Sequence, residues 1–378
     1  MKLIKYKLGD LIRQRRQKND SNDLPICGVT RDGFIPPKQQ DADTSLYNVF
    51  YLKDFVFNPA RMELNAIVFN DRYEKAICSS LYEVFYVHRP EVILPEYLAL
   101  LVKQDWFTRY CEFMGSGSAR EYCRVANISE LEIEVPPIEF QAEMARDNQI
   151  IRDRIELKRR INDNLANTEQ AILVETIGKN QTMPTTLGEL VDFIDGDRGK
   201  NYPTFDEFTS TGYCLFLNAS NVTSTGFNFD ACMFVTEEKD KSMNKGHLSL
   251  NDIVLTSRGT LGNVALYDKH IGFENVRINS GMLIIRPKTK RLSPHFIYAL
   301  LKSSYMKAAI ERFKSGSAQP QLPIKDLQKI VFEIPESDAV LASLDCQFLF
   351  IEEQISINNK EIDKLKELGS IFLAELSR

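Results

Sequence analysis

The chain has 378 residues, a net charge of −5, 43% hydrophobic and 26% charged residues, enough for two or three domains with sizeable cores. An acidic average surface argues against a protein that coats nucleic acid with its whole exterior, and leaves local patches as the only way to bind it. The seven cysteines (27, 78, 111, 123, 214, 232, 346) include no C-x-x-C pair, which excludes a zinc or disulfide framework and fits buried free thiols in a reducing cytoplasm. The opening MKLIKYKLGDLIRQRR lacks the apolar core of a signal peptide, and no run reaches eighteen apolar residues, so a cytoplasmic protein without a membrane span is expected.

Residues 1–90 mix short strand-like runs with turns. Leu8-Gly9-Asp10-Leu11-Ile12 leads into the basic Arg13–Lys18, followed by β-rich pieces at Pro25–Thr30, Asn48–Leu52, Phe55–Phe57, Ala66–Phe69 and Leu81–Val87. Aromatic and β-branched residues bounded by Gly, Pro, Asn and Asp read as strands of a mixed domain. Pro95–Phe113 reads as one helix with Pro in its first turn, stopped by Gly115-Ser116-Gly117-Ser118. A strand at Leu131–Val135 ends at Pro136-Pro137 and feeds a long helix, Ile138–Ile177, free of Pro and Gly. At 1.5 Å per residue it would run roughly 60 Å. Gly178 and Pro184 are expected to break it.

The chain then repeats itself. Leu187-Gly188-Glu189-Leu190-Val191 echoes Leu8–Ile12, and Pro294–Pro335 aligns with Pro95–Pro136 without a gap. The shared residues include Ser116-Gly117-Ser118-Ala119 against Ser315-Gly316-Ser317-Ala318. A second long helix follows at Ser337–Leu376, where Leu341, Leu344, Phe348, Ile351, Ile355, Asn358, Ile362 and Leu365 step by three and four, a coiled-coil seam with Asn358 as a register-fixing polar exception. The predicted partners across an antiparallel helix pair are Ile151, Ile155, Leu165 and Ile172 against Leu344, Phe348, Ile351, Ile355, Asn358, Ile362 and Leu365. The middle helix, with Lys158, Asn162 and Glu169 interrupting its stripe, is the more polar partner.

Catalytic signatures are missing. Asn58-Pro59-Ala60-Arg61 resembles an amino-methyltransferase loop but puts Arg61 where an aromatic must stack on a flipped base, so it reads as an Asn-Pro turn. Arg258-Gly259-Thr260-Leu261-Gly262-Asn263 lacks the P-loop Lys-Ser/Thr and also reads as a turn. The four histidines are scattered and no metal set stands out. What remains is a recognition surface of long basic and amide side chains. In the first half these are Arg13, Arg15, Arg16, Lys18, Arg31, Arg61, Arg120 and Arg124. In the second they are Arg198, Lys200, Asn201, Asn218, Asn221, Arg258, Lys314, Gln319 and Gln321. Arg can read guanine and Asn or Gln adenine, while Lys mostly meets phosphate.

The order of these motifs resembles the specificity (S) subunits of type I restriction-modification systems. The resemblance rests on the L-G-[DE]-L opening of each half, Phe57-Asn58-Pro59-Ala60-Arg61, Leu255–Gly262, and the repeated Ser-Gly-Ser-Ala followed by strand, Pro and long helix. It implies an α+β fold: two pseudo-repeated mixed α/β target recognition domains (1–137 and 179–336) separated by two long antiparallel coiled-coil helices (138–178 and 337–378). By the same resemblance each domain would read one half of a bipartite target in double-stranded DNA. The helices would set the gap and dock methyltransferase (M) subunits, with restriction/translocase (R) subunits joining. The chain itself would be non-catalytic and hold no cofactor, S-adenosylmethionine, ATP and Mg belonging to the partner subunits. The Pro-Pro…Gln junction before the long helix is present only in copy one, since Glu336-Ser337-Asp338 replaces it in copy two. A different class of function, a duplicated coiled-coil scaffold binding protein partners without DNA specificity, shares the repeat but not the motif order.

Overall fold

The computed structural model describes residues 3–21, 23–37, 43–115, 122–313 and 321–375. Compact packing divides the chain into one unit of residues 1–156 with 363–378 and another of residues 157–362. Both long helices, Ile138–Lys179 and Asp338–Glu375, therefore contribute one segment to each unit.

In the first unit, strand Ile4–Lys7 pairs antiparallel with Glu132–Val135. A four-stranded antiparallel sheet orders Ile12–Arg15, Glu83–Val87, Phe55–Phe57 and Ile67–Phe69. A second sheet of four strands runs Gly33–Ile35, Ile26–Thr30, Lys75–Cys78, Asn48–Tyr51. Alternation puts Phe55, Phe57 and Phe85 inside, with Phe55 stacked on Phe85 at 4.8 Å between ring centroids. Leu98, Leu101 and Phe107 close the core from the helical side.

The second unit repeats this plan. Thr182–Thr186 pairs with Val331–Pro335, and the main sheet orders Val191–Asp195, Met282–Pro287, Ile253–Thr256 and Val264–Leu266. A separate three-stranded sheet orders Phe234–Val235, Cys214–Leu217 and Val276–Ile278. Homologous hydrogen bonds mark the duplication. Leu8 N–H donates to the Leu131 carbonyl at 2.8 Å and Leu187 N–H to that of Ile330 at 2.7 Å.

The glycine of each L-G-[DE]-L opening is explained by the same pairing. A Cβ on Gly9 would lie 2.9 Å from both Cβ and the carbonyl oxygen of Ser129; on Gly188 it would lie 3.1 Å from those atoms of Gln328. A side chain at Gly9 would force the backbone of Ser129 aside, and one at Gly188 would need Gln328 to give way by a few tenths of an ångström.

Three sequence expectations change. The helix read as Pro95–Phe113 is two, Pro95–Leu101 and Asp105–Gly115, because Gln104 turns aside: its carbonyl accepts from Phe107 N–H and its amide reaches the Leu373 carbonyl at 2.9 Å. The central helix does not stop at Gly178 but runs to Lys179. The second long helix begins at Asp338, and its junction is built differently from the first. In copy one, buried Gln141 donates to the Pro136 and Val92 carbonyls and accepts from Leu94 N–H. In copy two, Arg291 reaches over instead, bonding the Asp338 carboxylate at 2.9 Å and the Glu336 carbonyl at 2.8 Å.

The helices pair antiparallel. Within the second unit, Lys158 Nζ donates to Asn358 Oδ1 at 2.9 Å and meets the Glu361 carboxylate at 2.8 Å. Asn358 Nδ2 donates to Asn162 at 2.8 Å, and Asn162 Nδ2 to Asn359 at 2.9 Å. The residues that interrupted the apolar stripe thus form a polar layer between the helices. Leu173 shares a core with Leu341, Leu344 and Phe348, and Ile172 packs against it. Phe348 also stacks on Phe296 of the globular half at 6.2 Å, so this end of the seam serves the domain core as well as the helix pair. Ile351, Asn358 and Ile362 are buried, while Ile155, Leu165, Ile355 and Leu365 are half-buried. In the first unit, Ile151 lies beside Gly369.

Candidate nucleic-acid interface

The second half gathers its basic and amide residues by backbone contact. The loop carrying Arg198, Lys200 and Asn201 is pressed onto residues 279–281, because a Cβ on Gly196 would lie 2.2 Å from the Asn279 carbonyl oxygen. Arg198 donates to Asp195 at 3.0 Å and to the Ser280 carbonyl at 3.2 Å. Asp197 anchors the loop by accepting from Gly199 and Asn244 N–H at 2.7 Å each. The Gly199 bond holds its carboxyl below the ordinary value.

Arg258 N–H donates to the Gly281 carbonyl at 3.1 Å, and Arg258 forms an isolated bridge with Gln321. Gly259 and Gly262 sit at φ +74° and +83°, so the Gly-rich segment is the turn its sequence implied. This turn touches the short helix Ala219–Asn221, where Thr260 Oγ1 donates to the Ala219 carbonyl at 3.5 Å. Asn218 caps that helix by accepting from Ser220 N–H at 2.9 Å. Asn221 is buried, its amide spent on the Asn228 and Ala231 carbonyls, which makes it a scaffold residue. Arg198, Asn218, Arg258 and Gln321 therefore stand along one edge, while Asn201 turns to the Ser242 carbonyl at 2.7 Å and Lys200 is exposed. Lys314 and Gln319 lie outside the described residues.

The first half builds the homologous edge. Cys123 N–H donates to the Pro59 carbonyl at 3.0 Å, as Leu322 N–H does to that of Ser257 at 3.1 Å. This brings the turn bearing Arg61 against the segment bearing Arg124. Asn58 caps that turn by accepting from Ala60 N–H, in keeping with an Asn-Pro turn, and Arg61 is exposed. Arg124 meets Glu83 at 3.1 Å and lies 5.5 Å from the Tyr122 ring centroid. Arg120 and both Ser-Gly-Ser-Ala segments lie outside the described residues.

The basic run Arg13–Lys18 does not act as one patch. Arg13 and Arg15 share one face of strand Ile12–Arg15 but meet different surroundings. Arg13 is exposed and donates to the Gly9 and Ile12 carbonyls. Arg15 turns inward, bonding Asp54 through two nitrogens at 2.6 and 3.0 Å between the rings of Tyr51 and Tyr86, 4.8 and 4.6 Å from its guanidinium. Burial pushes the Asp54 carboxyl above its ordinary value despite this partner. Arg16 bonds Gln14, Lys18 the Leu46 carbonyl and Asn48, and Arg31 is exposed on another turn. Sequence reasoning passed over Arg277, whose buried guanidinium bonds the Asp240 carboxylate and the Lys245 carbonyl and supports the second half from within. Its single-residue setting between Val276 and Ile278 was the available sign of burial.

No described helix is long and apolar enough to cross a membrane, and the described residues contain no group of metal-ligating side chains.

The family model of the type I restriction modification DNA specificity domain (Methylase_S) matches residues 181–367. No curated protein matches the chain. The S subunit of a type I restriction-modification system from M. genitalium is 18% identical, with a TM-score of 0.58, over 98% of this chain and 95% of that one. The HsdS subunit of Thermoanaerobacter tengcongensis is 19% identical over 99% of this chain and 96% of that one, with a TM-score of 0.36. A structure from work on complex assembly and conformational transition of the type I R-M system is 18% identical over 99% and 97%, with a TM-score of 0.39. With the family match across its second half and the S-subunit fold along its length, the chain belongs to the DNA-recognition subunits of type I restriction-modification systems.

Proposed function

We propose that each globular half reads one part of a bipartite double-stranded DNA target. One observation carries this reading: the same edge is built twice, by a turn after a core strand hydrogen-bonded to a second polar segment, and each copy bears basic or amide side chains. Arg61 and Arg124 in one half, and Arg198, Asn218, Arg258 and Gln321 in the other, are the proposed contacts to base edges and phosphates. Arg15 and Asn221 hold the scaffold that presents them.

The paired helices act as the spacer between the two readers and as the dock for methyltransferase subunits, with restriction subunits completing the assembly. Leu157, Ile161, Leu349, Phe350 and Ile357 on these helices are solvent-exposed, which suits a surface awaiting a protein partner. The chain is non-catalytic in this reading and works in the cytoplasm, with S-adenosylmethionine, ATP and Mg held by its partners. The acidic average charge is then tolerable, because partner subunits supply part of the phosphate-neutralising charge.

The test is DNA binding by the chain with and without its methyltransferase subunit across a salt series. We expect weak binding alone, a gain on adding the partner, and a steep fall with salt. Salt-independent binding, or none in either state, would favour the protein-scaffold reading. Methyl transfer by the chain alone would overturn the non-catalytic assignment.

A further inference from the structure

The duplication supplies an internal comparison. Lys103 and Lys302 occupy matching positions in the two aligned segments. Lys302 has two carboxyl partners: it bonds Glu169 of the central helix at 2.6 Å and Glu352 of the C-terminal helix, and lies 4.3 Å from the Tyr298 ring centroid. Lys103 has neither partner. At the same offset, Glu352 corresponds to Asp153, whose carboxylate accepts from Gln149 at 2.6 Å, and Glu169 corresponds to Leu368. Lys103 instead donates to the carbonyls of Arg31 at 2.8 Å and Ile67 at 2.7 Å, which leaves one N–H of the ammonium without a partner among the described residues.

This lysine faces a cavity of about 550 Å³ within the first unit. Val68, Phe69, Ala99 and Leu100 form an apolar wall, and Arg31, Arg146 and Arg152 add positive charge. Arg152 is held by Asp71 at 3.0 Å, whereas the guanidinium of Arg146 has no partner among the described residues. The carboxylates at the cavity are Asp32 and Glu96, and Glu96 is already matched by Lys53 at 3.0 Å. Positive charge is in excess. Burial draws the Lys103 ammonium down to a pKa of about 8, with Asp32 pulling the other way and Arg31 and Arg152 adding to the fall.

We propose that this cavity binds a small phosphorylated molecule, whose phosphate stands where the carboxyl groups of Glu169 and Glu352 stand beside Lys302. A phosphate dianion matches an ammonium flanked by guanidinium groups, and the volume and apolar wall suit a small organic body.

The proposal is tested by calorimetric titration of the full chain with adenosine 5′-monophosphate and, separately, inorganic phosphate. Saturable binding is expected, weakened about tenfold or more by either Lys103→Met or Arg146→Ala. Tighter binding of the nucleotide assigns an organic phosphate, and equal binding assigns free phosphate. Affinity should fall about tenfold between pH 7 and pH 9 in the parent chain, as Lys103 loses its proton, and not in Lys103→Met. Arg146 lies on an exposed helix face, so its variant keeps the test valid should Lys103→Met misfold. Absence of saturable heat at millimolar concentrations of both probes would overturn the proposal, as would unchanged affinity in Arg146→Ala. Displacement of the nucleotide by a short DNA duplex would overturn it too, by making the cavity part of the DNA face.

Discussion

Arg15 illustrates how far a residue's role departs from its type. In sequence it belongs to a basic run and could meet phosphate. In the fold its guanidinium is sandwiched by Tyr51 and Tyr86 and holds an Asp54 that is 2% exposed. Removing one partner of a buried pair strands the other, at a cost of about 3 kcal/mol. Arg15→Ala should therefore lower the urea-unfolding free energy of the chain by about that amount, whereas Arg61→Ala should leave it within about 0.5 kcal/mol and weaken DNA binding instead. Equal stability of the two variants would return Arg15 to the recognition surface.

Glu169 gives a pH signature. It is fully buried, one of its oxygens has no hydrogen-bond partner, and burial pushes its carboxyl up to about 8. A carboxyl whose pKa is raised on folding favours the folded state while protonated. Its contribution is fully present below the unfolded value near 4.5 and is lost as pH climbs toward 8. Glu169→Gln should gain stability relative to the parent as pH rises from 5 to 8. A difference that stays flat over this window, in urea melts at matched ionic strength, would show that Glu169 is ionised throughout.

At the scale of elements, the two helix starts solve one problem with different chemistry. Gln141 satisfies two carbonyls and one N–H at the first junction, and Arg291 ties down the second. Gln141→Ala should open the start of the central helix and cost about 2 kcal/mol, with Arg291→Ala doing the same for the C-terminal helix alone. Hydrogen exchange at residues 138–142 and 338–342 distinguishes them, and loss of protection at both helix starts in either variant would contradict separate anchors.

The long helices were legible because their periodicity is a local property of the chain. The strands Phe55–Phe57, Ile67–Phe69 and Glu83–Val87 were legible for the same reason. What escaped notice depends on partners far away in sequence. Lys158 and Asn162 looked like interruptions of a seam until Asn358 and Asn359 stood opposite. The break at Gln104 follows from a carbonyl at Leu373, which no local pattern announces. The proposed recognition edge was half legible. The Gly-rich turn and the residues around it were visible as candidates, but only the bonds from Cys123 and Leu322 back to the core strands' turns show which of them meet.

For the molecule as a whole, duplication is the organising fact: two copies of one sheet order, each opened by a glycine that admits close packing and each followed by a long helix. The Lys158–Asn358 contact places residues 155–161 opposite 355–361, so removing both segments deletes one matched heptad from the helix pair. Mapping methylated DNA motifs in cells that carry this paired deletion tests the spacer and the readers together. Both half-sites should stay unchanged and the non-specific gap between them should shorten. Altered half-sites with the gap unchanged would contradict the spacer role.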